Sequence, residues 1–228
     1  MIGVVLALLL LSAATPAEVT ALPEGLPEGW YAKIDTSMGT MVARLHPENA
    51  PQATAHFAAL AEGRLPWPDL TTGEERRGRY YDGMAVHKAK AGERFEVGDA
   101  TGTGRGAPLI RVPMEKGKMG FERPYRLGMT RSSLNRISGV LFFVSVGNLS
   151  YLTGTHPCFG ELVSGQEVAW NIATVKTNTS GKPLEPVVIH SIRILAVGAP
   201  APLPEPVPYA PPPPEPFGVK EGIKGNRP

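Results

Sequence analysis

Two oppositely charged residues, Lys88 and Glu96, lie eight positions apart in the sequence KAKAGERFE. The lysine ammonium is a compact, strongly hydrated cation with three hydrogen-bond donors. A turn at Gly92 would fold the two flanking runs into a hairpin and bring both side chains to the same side. In that geometry the Glu96 carboxylate could hold the Lys88 ammonium in place as an ion pair.

Three other kinds of chemistry find no support in the sequence. Residues 102–106 look like a phosphate-binding loop, but they lack the Lys-Ser/Thr ending and are followed by Pro108 rather than by a helix. No Gly-x-Ser-x-Gly nucleophile elbow is present. With five scattered histidines and one cysteine, His156 has no second ligand at metal-binding spacing. We therefore expect neither a metal nor another cofactor.

Length and composition favour a single domain with tails. A chain of 228 residues with 42% hydrophobic residues can bury one sizeable core, and we expect a monomer. The net charge of +2 is the difference between 23 basic and 21 acidic residues, which are mixed along the chain. This pattern gives no support to nucleic-acid binding.

The N-terminal residues 1–21 are predicted to be a signal peptide, followed by a spacer over 22–29. The apolar run from Ile2 to Ala14 is too short to cross about 30 Å of hydrocarbon, and small residues follow it. We expect export to the periplasm or the cell exterior, with no membrane span after cleavage. No Lys or Arg precedes the run, so an uncleaved anchor stays open as the alternative. The single Cys158 neither requires nor excludes an oxidising compartment.

The C-terminal residues 198–228 are predicted to be a disordered, proline-rich tail. Proline fixes the backbone dihedral φ and removes a donor, so neither a helix nor a sheet can propagate through this composition. The tail could be a spacer, a ligand for a proline-binding module of unknown identity, or a solvated end with no partner.

Between the two ends, the pattern predicts many strands and two helices. We expect a hairpin over residues 30–45, a helix from Pro51 that stops at Gly63, and a surface loop over 64–79. Strands are predicted over 84–88, 94–97, 141–146 and 187–196, and a second helix over 166–174.

The residues around Lys88 and Glu96 carry a resemblance to a known family. Tyr81-Asp82-Gly83, His87, Gly92, Gly98-Asp99 and the loop 101–106 follow one another at the spacing of the cyclophilins, a family of peptidyl-prolyl isomerases. Three further blocks, at 33–51, 57–63 and 139–160, keep the family's order, and together they cover about three quarters of the chain. Some bacterial cyclophilins carry an insertion similar to residues 64–79.

The resemblance implies a mainly β fold: a closed, eight-stranded antiparallel barrel with two helices, over residues 30–197. It also implies that the protein accelerates rotation about X-Pro bonds and binds proline-containing polypeptides. Lys88 stands where the family has its catalytic Arg. The implied substrate-binding residues are Glu96, Thr130, Leu141, Phe143, Tyr151, Leu152, His156 and Phe159.

Several of these positions depart from the family's pattern. Leu141 replaces a Gln and cannot form a side-chain hydrogen bond, and Glu93-Arg94 replaces Phe-Met. The sequence therefore predicts an isomerase that assists protein folding with an altered site and reduced activity. The alternative is a non-catalytic, cyclophilin-like module that binds extended, proline-containing chain.

Overall fold

The computed structural model describes residues 22–103, 106–131 and 136–207. The predicted signal peptide and residues 208–228 of the predicted tail lie outside the described residues. The spacer over 22–29 is described, and it is tied to the domain because the Tyr31 hydroxyl donates to the Pro27 carbonyl at 2.7 Å.

Eleven strands and two α-helices make up the described chain. The strands are β1 Gly29–Thr36, β2 Gly39–Leu45, β3 Trp67–Pro68, β4 Glu75–Arg76, β5 Met84–Ala85, β6 Lys88–Lys90, β7 Arg94–Val97, β8 Arg126–Arg131, β9 Ile137–Ser145, β10 Cys158–Ser164 and β11 Val188–Val197. The helices are α1 Pro51–Glu62 and α2 Gln166–Ala173, with a short 3-10 helix at Ser150–Leu152. The predicted first hairpin, both helices and the final strand are confirmed.

Nine of the strands form one antiparallel sheet in the order β5-β11-β1-β2-β10-β8-β9-β7-β6. The sheet confirms the mainly β fold with two helices, but the expectation of a closed barrel of eight strands needs correction. There are nine strands in the described sheet, and the hydrogen-bond ladder is open between its edge strands β5 and β6.

The extra strand has a local cause in residues 84–90. The sequence predicts one strand over 84–88, but the chain changes partners within it. Val86 N–H donates to the Val187 carbonyl at 2.8 Å, whereas His87 N–H donates to the Glu96 carbonyl at 3.1 Å. The chain thus passes from one edge of the curled sheet to the other between two adjacent residues, which divides the predicted strand into β5 and β6.

Helix α1 covers one side of the sheet and is capped from a distance. Pro51 opens the first turn, and Ala50 provides no side-chain cap. The Glu115 carboxylate instead accepts from the backbone N–H groups of Gln52 and Ala53, at 2.7 and 2.9 Å. Gly63 ends the helix in the left-handed region, with φ +77°. A side chain there would be strained by that φ and would also collide with the backbone of Gly78.

The main core lies between α1 and the inner face of the sheet. The Phe57 ring of α1 lies 5.0 to 5.5 Å from the rings of Tyr81, Phe142 and Phe159. All nine residues of β9 are buried. β9 lies between β8 and β7 in the sheet, so this buried strand fixes the position of the two strands that carry Thr130 and Glu96.

The inserted residues 64–79 are mostly exposed, and they contain a two-stranded ribbon of β3 and β4. The Trp67 ring anchors this insertion, because it packs edge-on against Tyr80 at a centroid distance of 5.1 Å. Within the described residues, no helix is both long and apolar enough to cross a membrane.

The first ten residues of the predicted tail, 198–207, are described and lie against the domain. Trp30 Nε1 donates to the Ala201 carbonyl at 2.8 Å. The Gln52 side chain donates to the Glu205 carbonyl at 3.3 Å and accepts from Val207 N–H at 2.8 Å. This placement differs from the expectation of a disordered tail that begins at residue 198, because side chains of β1 and α1 satisfy backbone groups of residues 201–207.

We expect truncation after Gly198 to destabilise the domain relative to truncation after Val207. The segment 199–207 contributes several partly exposed hydrogen bonds, each worth about 0.5 to 1.5 kcal/mol. A net loss of about 1 to 2 kcal/mol corresponds to a decrease in melting temperature of roughly 2 to 8 °C. Thermal unfolding of both truncated chains tests this. Equal melting temperatures would show that the segment adds no stability.

Candidate functional site

The hairpin of β6 and β7 places Lys88 directly opposite Glu96. Gly92 occupies the turn with φ +72°, a conformation that glycine adopts without steric cost. The Lys88 Nζ atom lies 3.8 Å from Glu96 Oε1, so the predicted ion pair is confirmed. The Lys88 side chain is still 45% exposed, which leaves its ammonium accessible to a ligand.

Glu96 is the centre of a charge cluster on this hairpin. Its carboxylate accepts a hydrogen bond from Arg94 Nε at 2.9 Å and also lies 3.8 Å from His87 Nε2. Glu96 is only 7% exposed. A buried carboxylate needs paired cations and donors to offset its loss of hydration, so Glu96 has a structural role in fixing both Lys88 and Arg94.

A cavity of about 350 Å³ opens beside this cluster. Five of the predicted site residues line it: Lys88, Glu96, Thr130, Leu141 and His156. The other described lining residues are His87, Arg94, Thr103, Arg131 and Ser180. The structure therefore brings together residues from β6, β7, β8 and β9 with residues from four connecting segments.

Phe143 and Leu152, two of the predicted pocket residues, lie in a small apolar cluster with Phe121, Leu149 and Cys158. The His156 ring meets the Phe143 ring edge-on at a centroid distance of 6.0 Å. The Arg94 guanidinium carbon lies 5.4 Å from the centroid of the Phe143 ring. This cluster is buried, and it adjoins the cavity through His156 and Arg94, whose guanidinium stands over the Phe143 ring.

Tyr151 lies at the rim and is 62% exposed. Its hydroxyl accepts from Arg94 Nη1 at 3.3 Å and donates to Glu93 Oε2 at 3.4 Å. Tyr151 and Glu93 therefore hold the outer end of the Arg94 side chain over Phe143.

Phe159 occupies a different place from the other predicted site residues. It is fully buried and packs against Phe57 of α1 in the main core. Like Phe143, Tyr151 and Leu152, it is not among the described residues that line the cavity, but unlike them it has no hydrogen bond or ring contact with His156 or Arg94 among the described residues. Its contacts are those of a core residue that supports the sheet beneath the site.

Burial and the neighbouring cations keep His156 neutral. Burial, together with the nearby Arg131 and Arg94, lowers the pKa of His156 to about 4. Its Nδ1 atom lies 3.0 Å from the Thr155 hydroxyl. Burial also lowers the pKa of His87, whose Nδ1 has no hydrogen-bond partner in the described structure. At neutral pH both rings are therefore uncharged.

Sequence reasoning did not predict Thr103 and Ser180 as lining residues. Ser180 belongs to a loop that adds to the edge of β6, where Ala89 N–H donates to the Gly181 carbonyl at 2.8 Å. The resemblance did contain signals for His87 and Thr103, which are in the aligned motif, and for Arg131, which follows Thr130. In the described residues, no group of three His, Cys, Asp or Glu side chains could hold a metal ion.

The fold and the cavity define a cyclophilin-like protein, and comparison with known proteins assigns the family. A model described as cyclophilin type peptidyl-prolyl cis-trans isomerase/CLD matches residues 31–194. Peptidyl-prolyl cis-trans isomerase B of Streptomyces anulatus is 36% identical over 171 residues, which cover 73% of this chain and 97% of the relative. The probable peptidyl-prolyl cis-trans isomerase A of Mycobacterium leprae is 33% identical, with coverages of 72% and 91%.

Solved structures agree with this assignment. A crystal structure of a Cryptosporidium parvum cyclophilin type peptidyl-prolyl cis-trans isomerase, obtained in the presence of the dipeptide Ala-Pro, aligns with a TM-score of 0.61 at 26% identity. The alignment covers 73% of this chain and 99% of that chain. The chain therefore belongs to the cyclophilin-type peptidyl-prolyl cis-trans isomerase family.

Proposed function

We propose that this protein accelerates cis-trans rotation of X-Pro bonds in extended polypeptides, with Lys88 as the catalytic donor and at a reduced rate. The supporting observation is the position of the Lys88 ammonium, at the mouth of a cavity bordered by Leu141 and His156. Rotation needs no covalent step. The barrier of about 18 to 20 kcal/mol arises from the partial double bond of the amide, and a donor near the twisted nitrogen lowers it.

The reduced rate follows from two side chains. The Lys88 ammonium is a point charge that is already paired with Glu96. A guanidinium, in contrast, could donate hydrogen bonds to the amide nitrogen and to a carbonyl oxygen at the same time. Leu141 lines the cavity and provides no hydrogen bond to the substrate backbone. One weakened charge-assisted contact costs roughly 1.5 to 3 kcal/mol, which is about one to two powers of ten in rate.

A non-catalytic binding module is the second candidate, and Arg94 is the observation that favours it. The guanidinium over the Phe143 ring occupies the approach that a proline ring would use to pack on that face. Extended chain could still bind along the polar cavity without its proline reaching Phe143.

An isomerisation assay on the full chain separates the two candidates. We expect measurable acceleration of a proline peptide, and a loss of about ten- to hundredfold in kcat/KM for Lys88→Ala. Lys90→Ala is the matched control, because Lys90 lies on the same strand but pairs with Glu93 instead of Glu96. Equal activity of the two variants would contradict a catalytic role for Lys88. Binding of the peptide without any acceleration would establish the binding module.

A further inference from the structure

Residues 199–207, here called the strap, have a strictly alternating sequence, Ala-Pro-Ala-Pro-Leu-Pro-Glu-Pro-Val. Every second residue is therefore a proline, with no N–H group and a fixed φ, which favours an extended conformation even in the free chain. The alternation ends at Tyr209-Ala210, before the run of four prolines at 211–214. The strap is thus a unit of its own within the proline-rich C-terminal region.

The described hydrogen bonds between the strap and the domain all involve its non-proline residues. The Ala201 carbonyl accepts from Trp30 Nε1 at 2.8 Å, and the Glu205 carbonyl accepts from Gln52 Nε2 at 3.3 Å. Val207 N–H donates to Gln52 Oε1 at 2.8 Å. The contacts thus recur at every second or fourth residue, as is typical of an extended chain. The domain residues that contact the strap, here called the strap site, are Glu28, Trp30, Gln52, His56 and Arg64.

The His56 ring is the buried part of the strap site. His56 is only 2% exposed, and its Nε2 atom donates to the Val207 carbonyl at 3.2 Å. Its Nδ1 atom has no hydrogen-bond partner among the described residues, and burial lowers its pKa, so the ring is neutral with a single N–H. Gly139 of β9 makes room for the ring, since a Cβ at that position would lie 3.2 Å from Nδ1. A buried ring with one N–H needs an acceptor at this point, and the strap provides it.

Most of the strap contacts involve backbone groups, which any polypeptide possesses. The exception is the pair of Glu205 with Arg64, at 3.5 Å, and both side chains are exposed, so this pair contributes little. Leu203, Pro204 and Pro206 are only half-buried. The strap is therefore held by a few partly exposed hydrogen bonds and little apolar contact, which is a basis for exchange with another chain of the same pattern.

We propose that the strap site is a second peptide-binding site, for extended segments in which every second residue is proline, and that the strap is its internal competitor. None of the strap-site residues lines the cavity that contains Lys88, so this inference goes beyond the proposed function and does not depend on it. Gly198 alone joins the strap to β11, which makes its effective concentration at the site high, on the order of millimolar. A segment from another chain binds when the strap is displaced.

The test uses the full chain with Glu205→Lys and Val207→Pro in the strap. These substitutions remove the Arg64 pair and the N–H that donates to Gln52, and they leave the domain itself unchanged. The ¹⁵N relaxation of the Leu203 amide reports release of the strap. The probe is a peptide of residues 199–207 with acetylated and amidated ends, and NMR titration measures its binding. We expect the released variant to bind it at least about tenfold more tightly than the parent chain, whose site is occupied.

Two controls define the site and the ligand class. Gln52→Ala in the released variant should weaken binding at least about fivefold, because this side chain forms two of the hydrogen bonds. Gln166→Ala is the matched control and should have no effect, since Gln166 begins α2 and donates to the Leu162 carbonyl instead. A peptide with its four prolines replaced by alanine keeps the bonding groups but loses the preference for an extended conformation, and should bind several-fold more weakly.

Three results would overturn the proposal. A Leu203 amide that stays rigid in the variant would show that the described contacts do not hold the strap. No binding of the peptide to the released variant at millimolar concentration would show that the site takes no segment from another chain. Binding that Lys88→Ala abolishes and Gln52→Ala leaves unchanged would place the peptide in the cavity. Each of these results leaves the proposed isomerase function standing, because the assay of Lys88→Ala tests that function separately.

Discussion

The double variant Lys88→Arg, Leu141→Gln should exceed the parent chain by at least about tenfold in kcat/KM for a proline peptide. This gain corresponds to about 1.4 kcal/mol of transition-state stabilisation. Both side chains line the same cavity, one on β6 and the other on β9. The arginine would present a planar fork to the twisted amide, and the glutamine would hold the peptide backbone against it.

Glu96 supports this expectation for the new arginine. It is buried, and it already accepts from Arg94 Nε at 2.9 Å, so it can orient a second guanidinium in place of the Lys88 ammonium. Because the two introduced groups serve one substrate, their effects need not add, and each single variant should recover less than the pair.

Kinetics of the parent chain, both single variants and the double variant provide the measurement. Lys90→Arg with Leu141→Gln is the matched control, since it adds a guanidinium on the same strand away from Glu96. A folded double variant with no gain would point to Arg94 as the obstacle over Phe143. In that case the binding module would become the better description.

Phe159→Ala should destabilise the protein by about 3 to 5 kcal/mol and lower the melting temperature by roughly 6 to 20 °C. Phe159 is fully buried, with its ring 5.0 Å from that of Phe57. Truncation would remove its contacts with helix α1 and leave a cavity beneath the sheet. A substrate-binding residue would instead raise KM with little change in stability.

Two further variants keep this result interpretable. Phe159→Leu preserves an apolar side chain and should remain folded, with a smaller loss of stability and an almost unchanged KM. Leu109→Ala is the surface control, because Leu109 is 72% exposed and its truncation should change stability by less than about 0.5 kcal/mol. A large rise in KM for Phe159→Leu would instead indicate that Phe159 contacts the substrate.

Turn, capping and side-chain alternation patterns predicted much of the domain, because these interactions involve residues that are close together in the sequence. The hairpin of β1 and β2, the start of α1 at Pro51 and its end at Gly63 follow from turn and capping chemistry. The Lys88–Glu96 pair follows from strand alternation about a glycine turn. The cyclophilin resemblance supplied the family, which the comparisons confirm.

The predictions that needed correction concern distant partners. Curling of the sheet brings its edges together at residues 84–90, and the change of partner there divides one predicted strand into two. Residues 198–207 look like part of a free tail in composition, yet Trp30 and Gln52 satisfy their backbone groups. In both cases, hydrogen bonds between residues far apart in the chain override a local pattern.

The sequence by itself determined the family, both helices, the first hairpin and the final strand, because these depend on side-chain types and short spacings. Only the tertiary structure decided that Arg94 stands over Phe143, that Phe159 belongs to the core and that Ser180 reaches the cavity. The physical reason is that side-chain alternation assigns a residue to a face, whereas the neighbours on that face are set by how strands from distant parts of the chain are aligned and curved.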